Sequence, residues 1–89
     1  MIDYAFTKRS EAEFLNLPKK VQSRIIKKVE HYLKADNPLS FAKRIAGASR
    51  PCFRYQMGDY RVIFEWEVTS ILILRVGDRK SVYRGEFPL

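Results

Sequence analysis

The stretch from Arg54 to Tyr83 constrains the fold most, because it alternates and punctuates as a three-stranded antiparallel meander. Residues 53–56 are the first predicted strand. Residues 60–67 are the second, with Tyr60, Val62, Phe64 and Trp66 on one face and Arg61, Ile63 and Glu65 on the other. Residues 71–76 are almost continuously apolar and branched, as a strand covered on both faces would be. Gly58-Asp59 marks the first turn, and Val68-Thr69-Ser70 is a weaker signal for the second.

Hairpin register decides what shares the polar face. A two-residue loop at Met57-Gly58 sets Arg54 opposite Arg61. A two-residue loop at Gly58-Asp59 pairs Gln56 with Arg61 and Arg54 with Ile63. Both registers put Arg54 and Arg61 on one face, and only a three-residue loop parts them. Arginines side by side on a strand pair repel each other. That cost makes sense if a polyanion lies over them.

The charge balance is consistent with such a partner. Seventeen Lys and Arg against ten Asp and Glu leave a net +7. The excess suits nucleic acid, an acidic protein or an anionic membrane surface, and it also suits mere solubility. Eighty-nine residues fit one domain, 1–89, with an adequate core. No apolar run approaches the roughly 20 residues of a membrane span, and the N-terminus lacks the apolar segment of a secretion signal. Cys52 is the only cysteine, so neither an internal disulfide nor a thiolate metal site is expected. A reducing cytoplasm is the expected location.

Upstream, Ile2, Tyr4 and Phe6 alternate with Asp3 and Ala5 as a further strand of the same sheet. Thr7 reads as an N-cap, followed by a short helix over 8–16 with Ala12, Phe14 and Leu15 inward. Leu17-Pro18 ends it, and Pro18 suits the start of the next helix. Residues 19–35 are the clearest helix, with Val21, Ile25, Val29, Tyr32 and Leu33 in one stripe widened by Ile26. Lys20, Arg24, Lys27, Lys28, His31 and Lys34 lie mostly off that stripe. They read as a solvated face, or as a second contact with phosphates or an acidic partner. His31 has no second His or Cys at ligand spacing and is a poor candidate for chemistry. Residues 39–42 fit a further helical turn, and Lys43-Arg44-Ile45-Ala46-Gly47 leads to a loop. Gly85 and Pro88 argue against a C-terminal helix.

The order strand, helix, helix, meander resembles the RelE/ParE toxin superfamily over nearly the whole chain. Lys43-Arg44-Ile45-Ala46-Gly47 resembles that family's basic-Leu-x-Gly approach to the sheet. Phe53-Arg54, Gly58-Asp59-Tyr60-Arg61-Val62-Ile63-Phe64, Leu74-Arg75-Val76-Gly77-Asp78-Arg79 and Val82-Tyr83 resemble its core signature. The resemblance implies the toxin of a type II toxin–antitoxin pair, a RelE-like mRNA interferase that cuts message in the ribosomal A site. Arg61 matches the family arginine near the scissile phosphate. Arg79 matches the arginine assigned to leaving-group protonation or charge stabilisation, and Tyr83 a tyrosine that helps orient the nucleotide. Arg54 matches the first of two strand lysines, while the place of the second falls at Gln56. Arg54, Lys43 and Arg44 are the expected RNA-binding residues. The implied partners are an acidic cognate antitoxin in a hetero-oligomer, the ribosome and mRNA, with no membrane.

RNA carries its own nucleophile, the 2′-hydroxyl. An enzyme has to align it, stabilise a charged pentavalent transition state and move two protons. Arg61 and Arg79 suit charge stabilisation, since a guanidinium offers forked donors and stays charged. Tyr83 could stack on a base, or act as base if nearby cations lowered its pKa. No Glu–His pair is evident, so weak activity on free RNA and dependence on the ribosome are expected. No metal or cofactor is expected, because the arginines supply the charge. Without the resemblance, Arg61 reads as an ordinary surface ion-pair partner of Glu65 or Glu67, Arg79 of Asp78 or Asp59, and Tyr83 as a core residue closing the sheet edge. The competing functions are a ParE-like inhibitor that binds DNA gyrase without nucleolysis, and a catalytically silent antitoxin-binding member. The expected fold is α+β, in the order β-α-α-β-β-β. Two N-terminal helices pack on one face of a mainly antiparallel four-stranded sheet, with the RNA site on the other face.

Overall fold

A computed structural model describes residues 2–78 and Lys80. In chain order these form β1 (Asp3–Phe6), α1 (Lys8–Leu15), α2 (Lys19–Leu33), a 3₁₀ turn (Pro38–Phe41), β2 (Ala42–Arg44), β3 (Cys52–Met57), β4 (Tyr60–Glu67) and β5 (Ser70–Asp78). The sheet order is β1-β5-β4-β3-β2. β1 runs parallel to β5, and the other pairs are antiparallel.

The sheet is therefore mixed and five-stranded, where sequence led to four mainly antiparallel strands. The extra strand is β2. Ala42-Lys43-Arg44 is too short, and too charged, to show a period-two pattern. It becomes a strand because β3 offers an unpaired edge and the 3₁₀ turn delivers the chain to it. The parallel pairing of β1 with β5 requires a long return path, and the two helices lie within it.

Local chemistry sets the helix ends. Thr7 caps α1 by accepting from the Ser10 N–H, and the Ser10 hydroxyl accepts in turn from the Thr7 N–H at 2.9 Å. Ser10 also reaches the sheet, donating to the Ile73 carbonyl at 2.6 Å while fully buried. The inward face of α1 is Ser10, Glu13 and Phe14. Ala12 and Leu15 are exposed, against the expectation that both point inward. The reason is position. α1 follows β1 along the edge of β5, where polar side chains are needed to satisfy strand backbone. Pro18 stands at the N-cap of α2, and Gln22 caps the preceding turn by donating to the Leu15 and Leu17 carbonyls.

The core forms as the stripe on α2 suggests. Ile25, Val29 and Leu33 pack on Tyr55, Val62, Phe64, Ile71, Ile73 and Val76, which makes this the helix-facing side of the sheet. Tyr55 and Phe64 rings meet at 4.6 Å. The β3–β4 hairpin has the Gly58-Asp59 loop, with Met57 paired to Tyr60. Gly58 has φ +62° and, among the described residues, no non-glycine residue has positive φ, which is the pattern of a type II′ turn with glycine at its first central position. Between β4 and β5 the register shifts beyond Ile63. Leu74 is the extra residue, a bulge that turns Arg75 to the face opposite Ile73. Among the described residues no helix is long and apolar enough to cross a membrane.

Candidate functional site

The face of the sheet away from the helices gathers cations from separate strands. Cross-strand partners Lys43, Arg54, Ile63 and Arg75 make one row over β2, β3, β4 and β5. Gln56, Arg61 and Gly77 make the next row, so no side chain stands opposite Arg61 on β5. Of the two hairpin registers compatible with the sequence, this is the one that pairs Arg54 with Ile63. Arg54 and Arg61 share the face in diagonal positions, within reach of a single phosphate backbone.

The environment of each cation differs. Lys43 and Arg44 are exposed on the edge strand, and Arg54 is half-buried. Arg44 falls at the opposite pleat position to Lys43 and belongs to the helix side of the edge, so it does not join the cationic row. Arg61 is 7 % exposed. Its Nη1 donates to the Gly58 carbonyl at 3.0 Å and the Tyr60 carbonyl at 3.2 Å, which holds the guanidinium against its own turn. Its Nε is buried without a hydrogen-bond partner among the described residues. Neither Glu65 nor Glu67 takes it: Glu65 pairs with Arg50 at 3.2 Å, and Glu67 accepts from Ser70. A buried charged donor left unsatisfied is costly.

Arg75 was not singled out from sequence. It is 4 % exposed, and its Nε donates to Glu13 Oε2 at 2.9 Å. Glu13 Oε1 also accepts the Val76 N–H at 3.0 Å. One carboxylate thus stands in for a neighbouring strand at the β5 edge beyond β1 and neutralises a guanidinium on the cationic face. The available signal was a single arginine in an otherwise apolar strand, which needs a counter-charge when buried. Nothing in the sequence places Glu13, 62 residues away, beside it.

Arg79 and Tyr83, expected in the site, lie outside the described residues, as do Gly85 and Pro88. His31 is exposed on α2, tilted against Tyr32 and Phe41 rather than near the cationic face. Burial raises the Tyr55 phenol to about 12, and its hydroxyl donates to the Pro38 carbonyl, so it is structural. Burial likewise raises the Cys52 thiol, which leaves it a poor nucleophile. Among the described residues no three His, Cys, Asp or Glu side chains come together as metal ligands.

Two helices over a mixed five-stranded sheet whose other face carries arginines and a lysine make a RelE-like α+β fold. The family model for the ParE toxin of type II toxin–antitoxin systems matches residues 4–83, and the chain belongs to that family. It is therefore a toxin of a type II toxin–antitoxin system. No curated protein sequence matches it. Among solved structures, it is similar to the toxin–antitoxin complex RelBE2 from Mycobacterium tuberculosis, with a TM-score of 0.76 and 22% identity over 88% of this chain and 98% of that one. It is similar to the intact RelBE complex of E. coli, with a TM-score of 0.72 and 17% identity over 88% and 96%. The RelB–RelE complex of Methanococcus jannaschii gives a TM-score of 0.69 and 28% identity over 93% and 98%.

Proposed function

We propose that this toxin is a ribosome-dependent endoribonuclease that cleaves mRNA and inhibits translation. The observation that carries the reading is the buried Arg61, held by two carbonyl bonds with its Nε donor unspent, on a face shared with Arg54 and Lys43. Once uncovered, a guanidinium held in this way stabilises charge that develops in a transition state. In this reading Lys43 and Arg54 bind the RNA backbone, with Arg44 contributing from the edge. Arg61 and Arg79 neutralise the pentavalent phosphorane as the 2′-oxygen attacks and the 5′-oxygen leaves, and Tyr83 orients the nucleotide. At 7 % exposure Arg61 must be uncovered before a phosphate reaches it. A substrate shaped by the ribosome would supply that binding energy. The partner in the resting state is a cognate antitoxin, as in the toxin–antitoxin complexes of the structural relatives, and the net charge of +7 calls for an acidic segment of it over the basic surface.

A second reading, inhibition of DNA gyrase by binding, is favoured by the family match and by how little of Arg61 reaches solvent. The two are separated by incubating the purified toxin with programmed ribosomes and, in parallel, with gyrase and relaxed plasmid. Message cut on the ribosome, with an Arg61→Ala loss of about 10²–10³-fold in single-turnover rate, supports the nuclease. Intact message together with arrested supercoiling transfers the role to gyrase. Wild-type cleavage by a folded Arg61→Ala protein removes Arg61 from the site.

A further inference from the structure

The outer face of α2 carries cations that the sheet-face site does not use. Lys20, Arg24, Lys27, Lys28, His31 and Lys34 are all exposed. At 3.6 residues per turn they span an arc of about 120°, opposite the buried stripe of Ile25, Val29 and Leu33. No carboxylate lies within that arc. Glu30, the one acid of α2, sits beside it, half-buried and accepting from the Tyr4 hydroxyl at 3.2 Å. Among the described residues none of the five Lys and Arg forms an ion pair. A helix face of unneutralised like charges costs stability by repulsion at i,i+4 spacing, as between Lys20 and Arg24 and between Arg24 and Lys28.

One side of this face ends in aromatic rings. Tyr32 and Phe41 stack at 4.6 Å with 19° between planes, and Tyr32 tilts on the buried Tyr55 at 4.6 Å, which anchors the pair to the core. Phe41 is 45 % exposed. His31 lies 5.9 Å from Tyr32 and 6.3 Å from Phe41, and Lys28 Nζ stands 5.7 Å from the Tyr32 ring centre. Phe41 then runs straight into β2, whose Arg44 belongs to the helix side of the sheet edge and whose Lys43 belongs to the cationic face. Positive charge therefore continues from α2, past an anchored aromatic shelf, around the β2 edge to Arg54 and Arg61.

We infer that this shelf and the outer face of α2 form a second binding surface for single-stranded RNA, continuous around β2 with the cationic sheet face. Cations alone would suit an acidic polypeptide equally well. The exposed ring among cations distinguishes RNA, because an unpaired base presents a π-face to stack while its phosphates meet the lysines. The inference deepens the nuclease reading by extending the track of the same substrate, yet its test needs no cleavage.

The test measures binding of a fluorescently labelled 12-nucleotide oligouridylate by anisotropy across a salt series. The triple variant Lys20→Ala/Arg24→Ala/Lys28→Ala should lower the slope of log K against log salt by up to about 2, since each single-strand phosphate contact contributes about 0.7. Phe41→Leu keeps apolar cover on Tyr32 and removes the ring. It should weaken binding about five-fold or more with the slope unchanged. Far-UV circular dichroism and an unchanged melting temperature establish that both variants are folded. Unchanged oligouridylate affinity in both variants overturns the inference, and so does an unchanged affinity in Phe41→Leu alone. An oligoglutamate peptide bound as tightly as the RNA, with the same loss on the triple variant, assigns the surface to an acidic protein and overturns it too. Cleavage on the ribosome can fail while this binding persists, so the two readings fall separately.

Discussion

Replacing Glu13 by Ala should destabilise the fold substantially. The substitution deletes two functions at once. Arg75, whose side chain is 5 % exposed, loses the carboxylate at 2.9 Å, and the Val76 N–H loses its acceptor at 3.0 Å. A charge-assisted hydrogen bond contributes about 1.5–3 kcal/mol, and breaking a buried pair costs about 3–5 kcal/mol. A value at or below the foot of that range applies here, because the Glu13 side chain is 25 % exposed and Arg75 keeps a further interaction. The contact of Glu13 with Arg9 at 3.8 Å adds little, since Arg9 is half exposed. The expected loss is about 2–3 kcal/mol. In a domain of this size that lowers the melting temperature by roughly 8–24 °C. Glu13→Gln keeps an acceptor for Val76 and should recover about half. The assay is urea unfolding followed by circular dichroism, with Glu13→Ala, Arg75→Ala and the double variant closing a cycle at constant m. A loss below about 0.5 kcal/mol for Glu13→Ala, or a coupling energy near zero, would refute the claim that this carboxylate completes the β5 edge.

Phe64→Ala should cost about 3–5 kcal/mol, because the ring is fully buried between the α2 stripe and Tyr55, and an unchanged denaturation midpoint would mean the sheet faces are reversed. Stability should fall in alkali. The Tyr55 phenol is raised to about 12 by burial, so its contribution is complete below the ordinary phenol value of 10.0 and is lost as pH rises from there through about 12. Cys52 and Tyr4, also raised by burial, change stability in the same direction. Tyr55→Phe should therefore flatten the alkaline arm of a melting-temperature profile, while costing about 0.5–1.5 kcal/mol at neutral pH through the bond to the Pro38 carbonyl.

Much of this molecule was legible in its sequence, and for local reasons. Thr7 as a cap, the α2 stripe, the Gly58 turn and the β4 faces each depend on residues within a few positions of one another. Periodicity and turn chemistry therefore specify them without a partner. With either two-residue loop the same alternation puts Arg54 and Arg61 on one face, whereas a three-residue loop would part them. What alternation left open was the register, which the two-residue Gly58-Asp59 loop settles.

The rest was decided by neighbours far along the chain. β2 is a strand only because β3 presents an edge to it, so three residues with two charges could not reveal it alone. Ala12 and Leu15 look inward on a helical wheel, yet α1 lies along the edge of β5, where Ser10 and Glu13 have strand backbone to satisfy. The pairing of Glu13 with Arg75 and the parallel docking of β1 on β5 join segments more than sixty residues apart. Sequence by itself thus determined the hydrophobic faces, the turns and the gathering of positive charge, because those are properties of adjacent residues. Only the tertiary structure decided which edges closed, which arginines became buried and what neutralised them. Those outcomes depend on desolvation and on partners that no short window of sequence contains.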